Sequence, residues 1–267
     1  MPAALVATML VLSACEAIPA LENTPPTDGS RAQAEQFVRL GDSTRDAGDF
    51  ESAATLYRRA MDSQPNWDEP LLRLGEVALR LNVLSDAELA FRSAAALNNA
   101  NLSAHLGLGR TLLRLGDHQQ ALSVFEMVIE QENRDGRSYN GAAIALELLD
   151  RHDDAQALYL DGIAADPTRI SLYNNRGLSM AVAGNYAKAI EWLNGVLQEG
   201  NGNVQTRQTL ALVYGLSGDE TNAAKIAHMD LGVDDVNNNL QYYARLRQLP
   251  DAERTSAIFG LAWSPAQ

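Results

Sequence analysis

The 267-residue chain has little of the side-chain chemistry on which most enzymes depend. It contains one cysteine and four histidines, and no histidine stands at a metal-ligand spacing from another histidine or from the cysteine. No glycine-rich phosphate loop follows a strand pattern, and a single cysteine excludes an intramolecular disulfide. We therefore predict that the chain is not an enzyme and uses no cofactor, no metal and no small-molecule substrate.

Positive charge and long apolar runs are also scarce. Lysine and arginine number 21 against 34 acidic residues, which gives a formal net charge of −13. Nucleic-acid binding requires a basic surface that faces the phosphates, and anionic membranes attract basic segments. The composition thus argues against nucleic acid as a general partner. No run of apolar residues has the length of a membrane-spanning helix.

A 34-residue period passes through the chain six times without an insertion or a deletion. Its most constant residue is an alanine, found at Ala53, Ala87, Ala121, Ala155, Ala189 and Ala223. A period of this length is typical of a solenoid of stacked helical hairpins, which usually serves as a surface for holding a partner. The six units, counted from Ala34, are 34–67, 68–101, 102–135, 136–169, 170–203 and 204–237.

Within each unit the spacing predicts two helices joined by a tight turn. Apolar and small residues recur at positions four, seven, eight and eleven, which share one helix face. Position fifteen always tolerates a left-handed backbone, as Gly48, Asn82, Gly116, Asp150, Gly184 and Gly218. This pattern resembles the tetratricopeptide repeat over residues 34–237. The resemblance implies an all-α fold, a tetratricopeptide-repeat superhelix (α-solenoid) of six helical hairpins.

Two repeats depart from the family pattern. In repeat six, Arg207, Ala227 and Asp230 occupy positions that are usually apolar or aromatic, as is common in terminal repeats. In repeat five, Arg176 stands at a usual leucine position, where we expect it to pair with an acid or to extend to solvent.

Residues 238–249 are predicted to form a capping helix over the last hairpin. The C-terminal tail, 250–267, carries Ile258, Phe259 and Trp263. The tail either packs on the end of the solenoid, which we favour here, or it docks on a partner or folds back into the groove.

The N-terminus resembles a bacterial lipoprotein signal. A short apolar run ends in the tetrapeptide Leu12-Ser13-Ala14-Cys15, which matches a lipobox. This predicts a signal peptide at 1–14, lipidation of Cys15 and a flexible tether at 15–33. No lysine or arginine precedes the apolar run, which departs from the usual pattern. The alternative is an apolar N-terminal helix with a chance cysteine.

In the tetratricopeptide family, the first helix of each repeat lines a concave wall with its positions two, five, six, nine, twelve and thirteen. The resemblance implies a peptide-binding groove formed by Arg73, Leu79, Arg80, Leu106, Arg110, Leu113, Arg114, Arg137, Asn140, Ile144, Asn174 and Leu178. Arginine can bind a carboxylate with two hydrogen bonds, and asparagine can bind a peptide backbone. Two alternatives remain: the apolar members pack against adjacent repeats, and the arginines pair with Glu69, Glu76 and Asp117.

Lipobox, tether, six repeats and a short C-terminal extension together resemble the lipoprotein of the tight adherence (Tad) pilus apparatus. The resemblance implies a lipid-anchored scaffold on the periplasmic face of the outer membrane that assists assembly of Flp-type pili, as a pilotin-like factor for the secretin. Its partners would be the secretin or other pilus-assembly subunits, with membrane contact through the lipid anchor. Two alternatives remain: a general envelope scaffold or adaptor lipoprotein not tied to pili, and repeats that regulate or target an enzyme.

Overall fold

The computed structural model describes residues 28–131 and 134–260, so the lipobox, the signal peptide and Trp263 lie outside the described residues. Every regular element in these two ranges is a helix, which confirms the predicted all-α tetratricopeptide solenoid. The helices are α1 (Asp28–Asp46), α2 (Phe50–Ser63), α3 (Asp68–Arg80), α4 (Leu84–Leu97), α5 (Leu102–Leu115), α6 (His118–Gln131), α7 (Gly136–Leu148), α8 (His152–Ala165), α9 (Ile170–Val182), α10 (Tyr186–Gln198), α11 (Val204–Ser217), α12 (Glu220–Ala227), α13 (Val233–Gln248) and α14 (Asp251–Gly260). None of these helices combines the length and the apolarity that crossing a bilayer requires.

The helices pair as six consecutive hairpins that stack in chain order. Odd-numbered helices from α1 to α11 are the first helices of the repeats, and each packs on the helix that follows it and on the one that precedes it. Successive first helices also contact one another, from α3 to α5 and onward to α11. The first helices therefore line the inner wall of the curved stack.

A phenylalanine ring packs each of repeats two and three against the next repeat. The ring of Phe91 lies between Gly75 of its own hairpin and Gly107 of the following hairpin, and it is 1% exposed. A Cβ atom at Gly107 would lie 2.3 Å from a ring carbon of Phe91. Only glycine permits this approach. Gly75, at position eight of the period, serves packing within the hairpin, and Gly107, at position six of repeat three, serves packing between repeats.

The turns between paired helices follow the predicted backbone. The residue at position fifteen has a positive φ in all six repeats, including the non-glycine residues Asn82 (59°) and Asp150 (61°). Asparagine and aspartate tolerate this conformation better than other residues with a side chain, which explains why they can replace glycine there.

The first repeat differs from the prediction at two points. Helix α1 begins at Asp28, so residues 28–33 are helical, although we assigned them to a flexible tether. The guanidinium of Arg31 lies 3.8 Å from the centre of the Trp67 ring, a cation–π contact that holds this added turn against the solenoid. Leu40, at a core position of the period, is 53% exposed. In later repeats the preceding hairpin covers this face, and α1 is the first helix described.

Repeat six is shortened and ends differently from the others. Its second helix, α12, has only eight residues, and α13 begins at Val233, inside the predicted boundary of 237. Arg207 donates a hydrogen bond of 2.8 Å to Asp230, so an ion pair occupies two positions that are usually apolar or aromatic in the family. Tyr243 of α13 packs against Gly215 of α11, and α13 contacts both helices of the last hairpin, in the way expected of a capping helix.

The C-terminal helix returns to the inner wall. Helix α14 follows α13 after Pro250 and packs against α7 and α9, the first helices of repeats four and five. We favoured packing of the tail on the end of the solenoid. The structure shows the alternative for residues 251–260, a fold back into the groove.

Candidate functional site

A cavity of about 330 Å³ opens on the inner wall between repeats two and six. Most of its lining comes from positions two, five, six and nine of the first helices. The lining residues are Glu76, Phe91, Ser103, Leu106, Gly107, Arg110, Phe125, Arg137, Asn140, Arg169, Ser171, Asn175 and Gln205. Three arginines and a single glutamate line this cavity, although the whole chain carries a net charge of −13. The cavity lining is thus rich in arginine, although Arg137 and Arg169 also pair with Asp135 and Asp166 outside the lining.

Arg110 stands among several other cations. Desolvation by the surrounding protein lowers the pKa of its guanidinium. Glu76 opposes this shift, whereas the positive charges of Arg114, Arg80 and Arg137 reinforce it. An anionic group placed here would relieve the mutual repulsion of these arginines, and arginine binds carboxylates with a defined two-point geometry.

Arg137 is positioned by the residue that caps its own helix. The carboxylate of Asp135 accepts a hydrogen bond from the backbone N–H of Arg137 at 2.9 Å and another from its guanidinium at 2.8 Å. Burial raises the pKa of Asp135, but the hydrogen bonds from Arg137 outweigh this effect and hold the pKa below its usual value. The ionised cap keeps the guanidinium beside the cavity.

Two asparagines join repeats four and five inside the cavity. The side-chain amide of Asn175 donates to Oδ1 of Asn140 at 2.8 Å, and both residues are buried. Asn140 belongs to the predicted groove, and Asn175 does not. Asn174, also predicted, is 2% exposed and is absent from the cavity lining.

The predicted arginines of repeats two and three mostly bond within the protein. Arg73 lies 2.8 Å from Glu69 and 3.5 Å from Glu76, which are two of the three acids proposed as alternative partners. Arg114 donates to the carbonyl oxygen of Leu79 at 2.9 Å and so links repeats two and three. Arg80 is exposed on the same helix as Arg73. Arg73 and Arg114 thus support the wall rather than line the cavity.

The apolar members of the predicted groove are buried, and only one of them lines the cavity. Leu106 belongs to the lining, and Leu79 and Leu113 are packed in the core between repeats. Ile144 is fully buried and Leu178 is 9% exposed, in one apolar cluster with Ile258 and Phe259 of α14. Neighbouring helices bury the side chains of Leu79, Leu113, Ile144 and Leu178. Leu79 and Leu113 pack between repeats, as the alternative predicts, whereas the helices that carry Ile144 and Leu178 also contact α14.

The sequence offered a signal for some of the lining residues that we did not select. Position two of repeats three, five and six supplies Ser103, Ser171 and Gln205, which line the cavity together with the predicted Arg137 at position two of repeat four. A selection by position alone would have found them. Arg169 is the last residue of repeat four and has no periodic signal, because it reaches the cavity from a connection between helices.

The described residues contain no group of three or more histidine, cysteine or acidic side chains arranged to hold a metal ion. The cavity instead offers hydrogen-bond donors and acceptors from arginine, asparagine, serine and glutamine. Such groups recognise peptides and carboxylates.

Comparisons with known proteins agree with this architecture. A family profile described as "Tetratricopeptide repeat" matches residues 38–101, 72–138, 106–170 and 139–204, which together span more than half of the chain. The uncharacterized protein y4yS of Sinorhizobium fredii (strain NBRC 101917 / NGR234) is 29% identical over 136 residues, which are 44% of this chain and 75% of that protein.

Two solved structures share the fold. PilW, described as a widely conserved type IV pilus biogenesis factor, superposes with a TM-score of 0.67 at 15% identity and covers 78% of this chain and 97% of its own. PilF of Pseudomonas aeruginosa gives a TM-score of 0.61 at 14% identity, over 81% of this chain and 99% of its own. At such identities the likeness concerns the fold alone.

Proposed function

The chain belongs to the tetratricopeptide repeat family, and from this membership we propose that it is a non-enzymatic scaffold that binds protein partners along its inner wall. The observation that carries the proposal is the arginine-rich cavity lined by Arg110, Arg137 and Arg169. In a protein of net charge −13, a partner with a carboxylate is attracted to this site and repelled by most of the remaining surface.

The chemistry of the cavity favours an extended peptide segment with an acidic side chain or a free C-terminus. The arginines bind the carboxylate, and Asn140, Ser103 and Gln205 offer hydrogen bonds to the peptide backbone. A cavity of about 330 Å³ accommodates a few residues of such a segment. The rest of the partner would extend along the inner wall.

At a finer level, we propose that the partner is a subunit of a pilus-assembly apparatus. The protein would act as a pilotin-like factor for the secretin in Tad/Flp pilus assembly. Six repeats and the fold shared with PilW support this proposal. The alternative is a general envelope scaffold or adaptor lipoprotein not tied to pili. Deletion of the gene separates the two: loss of secretin multimers supports the pilotin-like role, and normal multimers with normal pili favour the general scaffold.

We also propose that the protein is anchored to the periplasmic face of the outer membrane through a lipidated Cys15. The lipobox Leu12-Ser13-Ala14-Cys15 supports this placement. Cys15→Ser is expected to leave an unprocessed precursor without acyl chains, detected by metabolic labelling with a palmitate analogue and by membrane fractionation. A Cys15→Ser variant that is still acylated would refute the anchor.

Charge reversal in the cavity tests the binding role directly. In Arg110→Glu/Arg137→Glu we expect capture of the purified secretin to weaken at least tenfold, because each lost charged hydrogen bond costs about 1.5–3 kcal/mol. Arg151→Glu is the matched control, since Arg151 is exposed, pairs with Asp154 and is absent from the cavity lining. Unchanged capture by the double variant, with unchanged helicity, would place the partner elsewhere.

A further inference from the structure

The inner wall changes chemistry at repeat four. Position nine of the first helices is charged in repeats one to three, as Asp42, Glu76 and Arg110, and apolar in the next two, as Ile144 and Leu178. Helix α14 packs on the helices that carry these two apolar residues. At position nine the wall is therefore charged in repeats one to three, its polar part, and apolar in repeats four and five, its apolar part. The chain covers the apolar part with its own C-terminal helix, while the cavity opens among polar side chains of repeats two to six.

Helix α14 is amphipathic and is held by few side chains. Ile258 and Phe259 are 8% and 0% exposed, and their helix contacts α7 and α9, which carry Ile144 and Leu178. Thr255 is the remaining buried residue of the helix, whereas its acidic residues are exposed. One adjacent apolar pair thus provides most of the anchoring.

The connection and the length of α14 favour reversible release. Pro250 separates it from α13, and the helix has only ten residues. Helices this short are marginal in water without tertiary contacts. Once released, α14 would lose its own helical structure, while the hairpins beneath it keep their contacts with neighbouring repeats.

We propose that the inner wall of repeats four and five is a docking site for an amphipathic helix with an adjacent pair of bulky apolar residues, and that α14 is an internal occupant which the partner helix displaces. The occupant itself shows the chemistry of the ligand, because its apolar pair fits this wall. The inference rests on the proposed role of the inner wall as the partner surface. It adds a second, apolar subsite, and competition between α14 and the partner helix limits access to that subsite.

A peptide with the sequence of residues 249–260, supplied in trans, tests this proposal. The receptor is the full chain carrying Ile258→Ser/Phe259→Ser, which removes the apolar pair and frees the wall. We expect the labelled peptide to bind this variant at least tenfold more tightly than it binds the unmodified chain. The same peptide with serine at both anchor positions should bind neither. Ser256→Asp, on an exposed position of α14, is the matched receptor control and should behave like the unmodified chain.

Two results would overturn the proposal. One is a folded double variant that does not bind the peptide at millimolar concentration, and the other is equal binding by variant and unmodified chain. If the double variant loses helicity, hydrogen exchange on the unmodified chain decides: amides of α14 that exchange much faster than those of α9 support displacement, and equal protection refutes it. Arg110→Glu should leave peptide binding unchanged, because Arg110 lies in the polar part. Failure here is therefore distinguishable from failure of the proposed function.

Discussion

Asn175 and Asn140 form a buried hydrogen bond of 2.8 Å that joins α9 to α7 where both helices line the cavity. Asn140 is at position five of repeat four, and Asn175 is at position six of repeat five. The bond pairs a buried amide donor of Asn175 with the buried amide acceptor of Asn140. The pair therefore fixes the relative position of two repeats and the shape of the site at the same time.

Removing one member of this pair should cost more than removing both. Asn175→Ala leaves Oδ1 of Asn140 buried without this donor, and we expect the free energy of unfolding to fall by about 1–3 kcal/mol. In Asn140→Ala/Asn175→Ala the loss should be clearly smaller than the sum of the two single losses. Urea denaturation of the three variants measures the coupling. Ser171→Ala, at a half-buried lining position, is the control, and additive losses would contradict the prediction.

Glycine at the contact between repeats should be indispensable. Gly107→Ala places a Cβ 2.3 Å from the ring of Phe91, and we expect a loss of about 1–3 kcal/mol in the free energy of unfolding from overpacking. Gly195→Ala is the matched control, because a Cβ there meets no atom within 4 Å and Gly195 lies inside α10. Alanine has a higher helix propensity than glycine, so Gly195→Ala should stabilise the chain by up to about 1 kcal/mol. Thermal denaturation should show opposite signs for Gly107→Ala and Gly195→Ala. Equal effects of the two substitutions would contradict the role given to Gly107 in the contact between repeats.

The sequence was sufficient for the repeat fold because the period repeats one packing solution six times. The alanine, the small residue at position eight and the turn residue at position fifteen recur in phase. A departure from the pattern in one repeat therefore does not change the fold that the other repeats predict. The sequence was insufficient at both ends of the described solenoid. Among the described residues no hairpin precedes α1, and Leu40 is exposed; α13 begins early because repeat six packs on the C-terminal extension instead of on another repeat.

The site was less predictable than the fold because parts of it depend on features that the periodic pattern does not contain. Position along the first helix indicated which residues face inward, and Arg110, Arg137, Asn140 and Leu106 line the cavity as predicted. Their binding role stays a prediction. Position could not show that Arg73 pairs with Glu69 or that α14 packs against α7 and α9. Those outcomes depend on side-chain pairing and on a non-repeating segment, which no periodic pattern encodes.

The cap of α7 predicts a pH dependence. The lowered pKa of Asp135 means that its carboxylate stabilises the fold above its unfolded pKa of about 3.9, and that this contribution is lost as the pH falls through the folded value. Asn is also a good cap, so Asp135→Asn removes the charge and retains the cap. We expect the variant to be less stable by about 1 kcal/mol at pH 7 and equal to the unmodified chain well below pH 3. Urea midpoints across this range measure the difference, and a constant gap at all pH values would contradict it.

Glu147, in the same repeat, should show the opposite sign. Its side chain is 1% exposed, and burial raises the pKa of the carboxyl, although the hydrogen bond with His152 opposes the shift. The folded state therefore holds this proton more tightly than the unfolded chain does. The stability that Glu147 contributes falls as the pH rises from its unfolded pKa of about 4.3 through the raised folded value.

Substitution of Glu147 by a neutral side chain of the same shape isolates this effect. In Glu147→Gln the amide oxygen can still accept from His152, whose Nδ1 lies 2.6 Å from the carboxylate. We expect the variant to be more stable than the unmodified chain at pH 8 and the advantage to shrink as the pH approaches about 4, where the carboxyl of the folded state is protonated. His152→Gln, compared over the same range, shows how much of the slope belongs to the imidazole. A Glu147→Gln variant that is less stable at pH 8 would mean that the ionised carboxylate is needed by its partners more than burial penalises it.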